Sequence, residues 1–247
     1  MPARTPVKPP SILICLCCRM RYAIYYAPEP NEPLAAFGRA WLGRDAETGA
    51  AVDQPPLDGR TPQWVADVTA EPRRYGFHGT LKAPFHLSDG TTEDDLLRAA
   101  TSFAAVRPSV AVPRLVLRAI GDFIALVPQM RVPTLDALAG DCVRSFDMFR
   151  APPDPADLAR RRAGLSARQA ELLVQWGYPY VLDEFRFHLT LTGKLSPEDR
   201  NSLLPVLEKM TDAVKRGPLV IRSICVFKQP EPDAPFTIRA RFPLGRR

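Results

Sequence analysis

The alternation of apolar and polar positions is sharpest in two short stretches. From Phe185 to Thr192, the residues Phe185, Phe187, Leu189 and Leu191 alternate with Arg186, His188, Thr190 and Thr192. From Arg74 to Ala83, the residues Tyr75, Phe77, Gly79, Leu81 and Ala83 alternate with Arg74, Gly76, His78, Thr80 and Lys82. A period of two marks a β-strand, in which residues i and i+2 share a face. The pattern predicts motif strands near 74–83 and 185–192. Each has one apolar face and one face carrying Arg, His, Thr, then Lys or Thr. A strand that only supports a core has no need of the second face.

Around these stretches the pattern predicts a strand over Arg21–Ala27 and a helix from Glu32 to Leu42 stopped by Gly43. Residues 44–72 carry several Pro and Gly and read as irregular. Thr92 caps a helix to about Val106, followed by strands near Ser109–Leu117 and Phe123–Pro128. Thr134 opens a helix to about Phe149, which Pro152-Pro153-Asp154-Pro155 breaks. Ser166 with Gln169 forms a capping-box pattern before a helix ending at Gly177. Arg160-Arg161-Arg162 reads as a solvated helix face. Ser196-Pro197 opens the next helix, and strands near Leu219–Lys228 and Phe236–Phe242 close the chain. Strand, helix, strand, strand thus occurs twice, with the two histidines 110 residues apart. This is a degenerate duplication that predicts two lobes around a central cleft, in an α+β fold. Residues 133–180 are additional helical material, a lid or the flank of a lobe.

Composition narrows the setting. With 247 residues, 46% hydrophobic and 24% charged, the chain is one large or two small globular domains. The net charge of +6 suits an anionic ligand but does not by itself indicate nucleic acid. Five cysteines, Cys15, Cys17, Cys18, Cys142 and Cys225, form no spaced framework and read as reduced thiols in the cytoplasm. The apolar run Ser11–Cys18 is too short to span a membrane, and no small-x-small cleavage site follows it. Residues 1–19 are expected to be a disordered extension, and residues 20–247 a single bilobal domain.

The paired motifs carry the chemistry. Two imidazoles that titrate near neutrality can serve as general base and general acid in one turnover. Thr80 and Thr190 hydroxyls, with cations nearby, suit phosphate oxygens and the charge of a phosphoryl transition state. Arg74, Lys82 and Arg186 share the predicted faces with the histidines and are candidate phosphate contacts. Tyr25 is a candidate to stack on a sugar or base. The one remaining histidine, His86, lies beyond Pro84 and reads as peripheral. No clustered carboxylates complete a metal site, so neither a metal nor a cofactor is expected.

His78-Gly79-Thr80-Leu81 and His188-Leu189-Thr190-Leu191 resemble the duplicated His-x-Thr/Ser-x signature of the two-histidine (2H) phosphoesterase superfamily. Gly79 departs from it, because an apolar residue is usual there. The longer string Arg74–Phe85 and the opening Met20–Pro28 resemble a bacterial branch described as a putative phosphonate-metabolism protein. The resemblance runs from Met20 to the C-terminus. It implies two antiparallel sheets flanking a central cleft with helices outside. It also implies a metal-independent hydrolase acting on phosphoric ester bonds, with His78, Thr80, His188 and Thr190 catalytic. The implied reaction is the opening of a cyclic phosphodiester, with a phosphorylated ribose cyclic phosphate as leading substrate. The alternatives are a 2′,3′-cyclic phosphate on RNA or a nucleotide, or a non-catalytic nucleotide- or RNA-binding module. The expected partner is a small anionic phosphate ester, with RNA less favoured and no membrane or obligate protein partner.

Overall fold

The computed structural model describes residues 20–245. The expected extension, residues 1–19, lies outside the described residues. The elements in order are β1 (Arg21–Tyr26), α1 (Pro33–Leu42), α2 (Pro62–Val68), α3 (Ala70–Tyr75) and β2 (Gly79–Phe85). After them come α4 (Glu93–Ala105), β3 (Val110–Val112), β4 (Leu115–Ile120), β5 (Phe123–Pro128) and α5 (Pro133–Phe146). Next are α6 (Pro155–Arg161), α7 (Ala167–Trp176), β6 (Leu189–Thr190) and α8 (Pro197–Lys215), and finally β7 (Leu219–Ile221), β8 (Ser223–Gln229) and β9 (Thr237–Pro243).

Local signals account for most boundaries. Gly43 ends α1 at φ +71°, a conformation that Gly adopts without Cβ strain. Thr92 with Asp95 and Ser166 with Gln169 form reciprocal capping boxes on α4 and α7. Ser196 accepts from the Asp199 amide at the start of α8. The stretch expected to be irregular, 44–72, instead contains α2 and the first half of α3. Thr61 caps α2 and Pro62 takes its first turn, which a loop reading of the proline overlooks.

The two sheets are antiparallel, as expected of the α+β fold, and they are unequal. Seven strands run in the order β4-β5-β6-β2-β1-β8-β9, and β3 pairs with β7 in a two-stranded ribbon. The duplication is explicit in the topology. Helix, short strand and hairpin follow each motif: α4-β3-β4-β5 after the first, α8-β7-β8-β9 after the second. The two short strands pair with each other, and the two motif strands meet at Gly79↔Leu189. That meeting fuses the lobes into one sheet.

One sheet face is sealed by helices. Trp41 of α1, Leu96 and Phe103 of α4, Phe146 of α5 and Leu207 of α8 share one buried cluster with Leu81, Leu126, Leu189 and Val226 of the strands. On the other face, Tyr25, Phe227, Phe236 and Cys225 form a smaller cluster. Central strand β1 is therefore buried on both sides. The side chains that line the cleft project from this second face. No helix among the described residues is long and apolar enough to cross a membrane.

Candidate active site

His78 directly precedes β2. Gly76, at φ +78°, ends α3 and turns the chain toward the strand; a β-carbon there would lie 2.6 Å from the Ala46 methyl. This turn aims the Gly76 carbonyl at the histidine, and His78 Nδ1 donates to it at 2.8 Å. The second motif uses the same device: His188 Nδ1 donates to the Arg186 carbonyl, also two residues back, at 2.7 Å. In both rings this bond fixes the proton on Nδ1 and leaves Nε2 as the free lone pair. Thr80 Oγ1 donates to His78 Nε2 at 3.3 Å.

The pairing geometry brings the motifs together. Because β2 and β6 are antiparallel at Gly79↔Leu189, His-Thr in one motif runs against Thr-His in the other. Gly79 and Leu189 point into the core, and the alternating positions 78, 80, 188 and 190 point the opposite way. All four line one cleft of about 390 Å³.

The cleft walls are largely aromatic. The Tyr25 ring stacks on His78 with centroids 3.9 Å apart and 23° between planes. Tyr75 and Tyr178 line the same wall, and Phe123 lies 5.8 Å from His188. This apolar surround penalises imidazolium. Burial lowers the His78 pKa from 6.5 to about 4, against a raising effect of the Gly76 bond, and His188 across the cleft lowers it further. Burial lowers the His188 pKa as well, opposed by its bond to Arg186. Burial raises the Tyr25 hydroxyl pKa well above its usual range. Burial thus favours the neutral form of both histidines in the resting protein.

The three candidate cations lie elsewhere. Arg74 sits in α3 rather than on a strand, and its guanidinium is 3.9 Å from Asp233. Lys82 is displaced by a bulge: Tyr25 pairs with Thr80 but Ile24 pairs with Lys82, leaving Leu81 as an extra residue in β2. The slip turns Lys82 onto the buried face, where Nζ donates to Asp147 at 3.0 Å and to the Val143 carbonyl at 3.3 Å. The second motif is paired only over Leu189–Thr190, and Arg186 lies in unpaired chain. Its guanidinium folds back onto the carbonyls of Asp183 and Phe185. His86 donates to the Met20 carbonyl at 2.8 Å, away from the cleft.

Lys194 was missed from sequence. Among the described residues the cleft lining carries this lysine and no arginine. Lys194 is 3.8 Å from Asp122, which also lines the cleft. Its position four residues after Thr190 was the available signal. Among the described residues, no three His, Cys, Asp or Glu side chains group in a way that could hold a metal ion.

Fold and site together define an α+β protein with a duplicated His-x-Thr cleft. The chain belongs to the family described as "Protein of unknown function (DUF1045)", matched over residues 80–237. It is 39% identical over 230 residues to a protein of Janthinobacterium sp. (strain Marseille) named ribose 1,5-bisphosphate phosphokinase PhnN. It is 36% identical over 222 residues to a protein of the same name from Laribacter hongkongensis (strain HLHK9). These alignments cover 91% and 89% of this chain but 51% and 50% of those proteins, so the chain spans about half the length of the curated relatives it matches. Two solved structures are similar over 92% of the chain and 99% of theirs, each with a TM-score of 0.40: one titled a phosphoesterase, at 11% identity, and E. coli LigT complexed with NADP+, at 14%.

Proposed function

We propose that this chain is a metal-independent phosphoesterase that opens a cyclic phosphodiester on a ribose-like sugar. The observation that carries the reading is the matched pair of histidines. Each is held through Nδ1 by its own backbone, each presents an unprotonated Nε2 to one cleft, and each is followed two residues later by a threonine in that cleft. One imidazole takes a proton from water as the water oxygen bonds to phosphorus. The phosphorus–oxygen bond to one sugar hydroxyl breaks, and the second imidazole, protonated, gives its proton to that oxygen. The product is a phosphomonoester. With substrate bound, Thr80 turns its hydroxyl from His78 Nε2 to the phosphoryl oxygens and, with Thr190, donates to them as charge builds. We assign His78 the base role, because its Nε2 already accepts from Thr80 and its surroundings most oppose the charged form. The charge of the bound phosphate raises both histidine pKa values toward neutrality.

The substrate we favour is a phosphorylated ribose cyclic phosphate in phosphonate catabolism. The motif resemblance supports this, and so do the relatives, whose name refers to a ribose bisphosphate. The kinase in that name is a name of those whole proteins, of which this chain spans about half. The sequence here has no G-x-x-x-x-G-K-[ST] phosphate-binding string.

The test is product analysis over a panel of ribose, nucleotide and RNA-terminal cyclic phosphates, with and without EDTA. We expect a phosphomonoester from the ribose substrate at an unchanged rate in EDTA. EDTA inactivation reversed by zinc or manganese contradicts the mechanism. Faster opening of RNA ends moves the assignment to RNA processing.

A further inference from the structure

We propose that the cavity beside the cleft is a second anion subsite, which holds a phosphomonoester of the substrate distinct from the phosphate that reacts. This rests on the phosphoesterase reading above.

The cavity has a volume of about 610 Å³ and lies against β4, β5 and the chain leading into the second motif. Strand register places Arg118, Ile120 and Val127 of its lining on the same sheet face as the catalytic pair. Arg118 pairs with Ala125, and Ala125 pairs with Thr190. Directly paired residues share a face, so Arg118, Ala125 and Thr190 form one row across three strands. Two strand spacings separate the ends of that row, roughly 10 Å. Ala125 in the middle of the row is itself buried. Phe123 and Ile120, paired in the same way, line the cleft and the cavity respectively. The two spaces are neighbours along one face.

The charge is arranged for an anion. Arg118 is exposed and has no carboxylate partner among the described residues. Arg186, two residues before His188, also lines the cavity and touches only backbone carbonyls. The two carboxylates at the cavity are already matched: Asp136 by Arg131 at 2.6 Å, and Asp183 by Arg168 through two bonds of 2.7 and 2.8 Å. Neither guanidinium is matched by a carboxylate, and both lie beside an apolar floor of Ile120, Val127 and Phe185. Guanidinium matches the spacing of phosphate oxygens and suits a dianion better than a carboxylate monoanion. The cleft itself offers one lysine near an aspartate, so a substrate with two phosphates needs cations from next door. A sugar held across Phe123 and Ile120, with one phosphate at the Thr pair and one at Arg118, fits that separation.

The experiment compares the full chain with Arg118→Gln. Arg118 is exposed, so the melting temperature should not change. Two substrates are assayed: a ribose cyclic phosphate bearing a 5-phosphate, and the same molecule with a free 5-hydroxyl. The variant should raise KM for the first by about tenfold or more, the usual scale for a lost charged contact, with kcat within twofold. KM for the second should stay within twofold. A parallel calorimetric titration with ribose 5-phosphate, which needs no turnover, should weaken by a similar factor. Equal effects on both substrates, or unchanged ribose 5-phosphate affinity, overturn the subsite. If neither cyclic substrate is opened by the unaltered chain, the proposed reaction falls while the titration still decides the subsite.

Discussion

Gly79 lies so close to the ring of Phe187 that a β-carbon on it would come within 2.4 Å of that ring. The contact joins the two motifs, since Gly79 precedes Thr80 and Phe187 precedes His188. It also explains the one departure of the first motif from its usual pattern. Gly79 pairs with Leu189 at the junction of the lobes, and the bulky ring from the other motif fills the space a side chain would need. Gly79→Ala should therefore destabilise the fold by about 1–3 kcal/mol, the scale of overpacking. It should also lower activity by shifting the strands that hold the histidines. Phe187→Leu in the same chain should restore part of both losses, measured by denaturant unfolding and by rate. A neutral Gly79→Ala would show that the junction tolerates displacement.

The displaced Lys82 gives a prediction of the opposite kind. Its ammonium is buried against Asp147 and the Val143 carbonyl, and burial lowers its pKa despite that partner. Lys82→Met should cost about 3 kcal/mol of stability, because it breaks a buried ion pair and leaves Asp147 to Arg150 alone. It should leave KM within threefold. A large KM rise with unchanged stability would return Lys82 to the phosphate site.

Protonation of the site should be visible in the stability of the protein. The folded-state pKa of His78 is lowered to about 4 from 6.5. Between those values the unfolded chain binds a proton that the folded chain does not. Stability therefore falls as pH drops through this window and recovers as pH rises toward 6.5. His78→Gln removes that linkage, so its melting temperature should fall less between pH 7 and pH 5 than that of the unaltered chain. Parallel curves would mean that His78 titrates normally. The same shifts predict a bell-shaped kcat/KM profile whose acid limb lies below 6.5.

The Tyr25 stack separates positioning from contact. Its ring covers His78, and its hydroxyl makes no hydrogen bond among the described residues. Tyr25→Phe should retain most of kcat, and Tyr25→Leu should lose about tenfold, as a misplaced base does. The His78 ring resonances in an NMR titration should shift in Tyr25→Leu and not in Tyr25→Phe. Equal losses in both variants would give the hydroxyl a direct part in binding.

What the sequence revealed depended on the range of the interaction. The Gly43 stop, the Thr92 cap and the Ser166–Gln169 capping box are read from residues within four positions of one another, and they stand in the structure as expected. The position of Lys82 depends on an extra residue in β2 opposite β1, a long-range fact that strict alternation hides. The second motif was expected to be a strand over 185–192 but is paired only at Leu189–Thr190, because its neighbours β5 and β2 engage no more of it. Arg74 was lost to α3, whose end at Gly76 marks where the helix yields to the motif. Lys194 and the Arg118 row require the register of strands far apart in sequence.

The central claim is that His78 and His188 act as one acid–base pair, and the most direct measurement is a double-mutant cycle on kcat. His78→Gln and His188→Gln should each lower kcat by roughly a hundredfold to ten-thousandfold, while Thr80→Val and Thr190→Val each cost about 1.5–3 kcal/mol. The double histidine variant should be little worse than either single one, because each turnover needs both groups. All variants should remain folded, since these side chains face the cleft. Fully additive losses, a loss from one histidine only, or unfolding of either single variant would contradict the account.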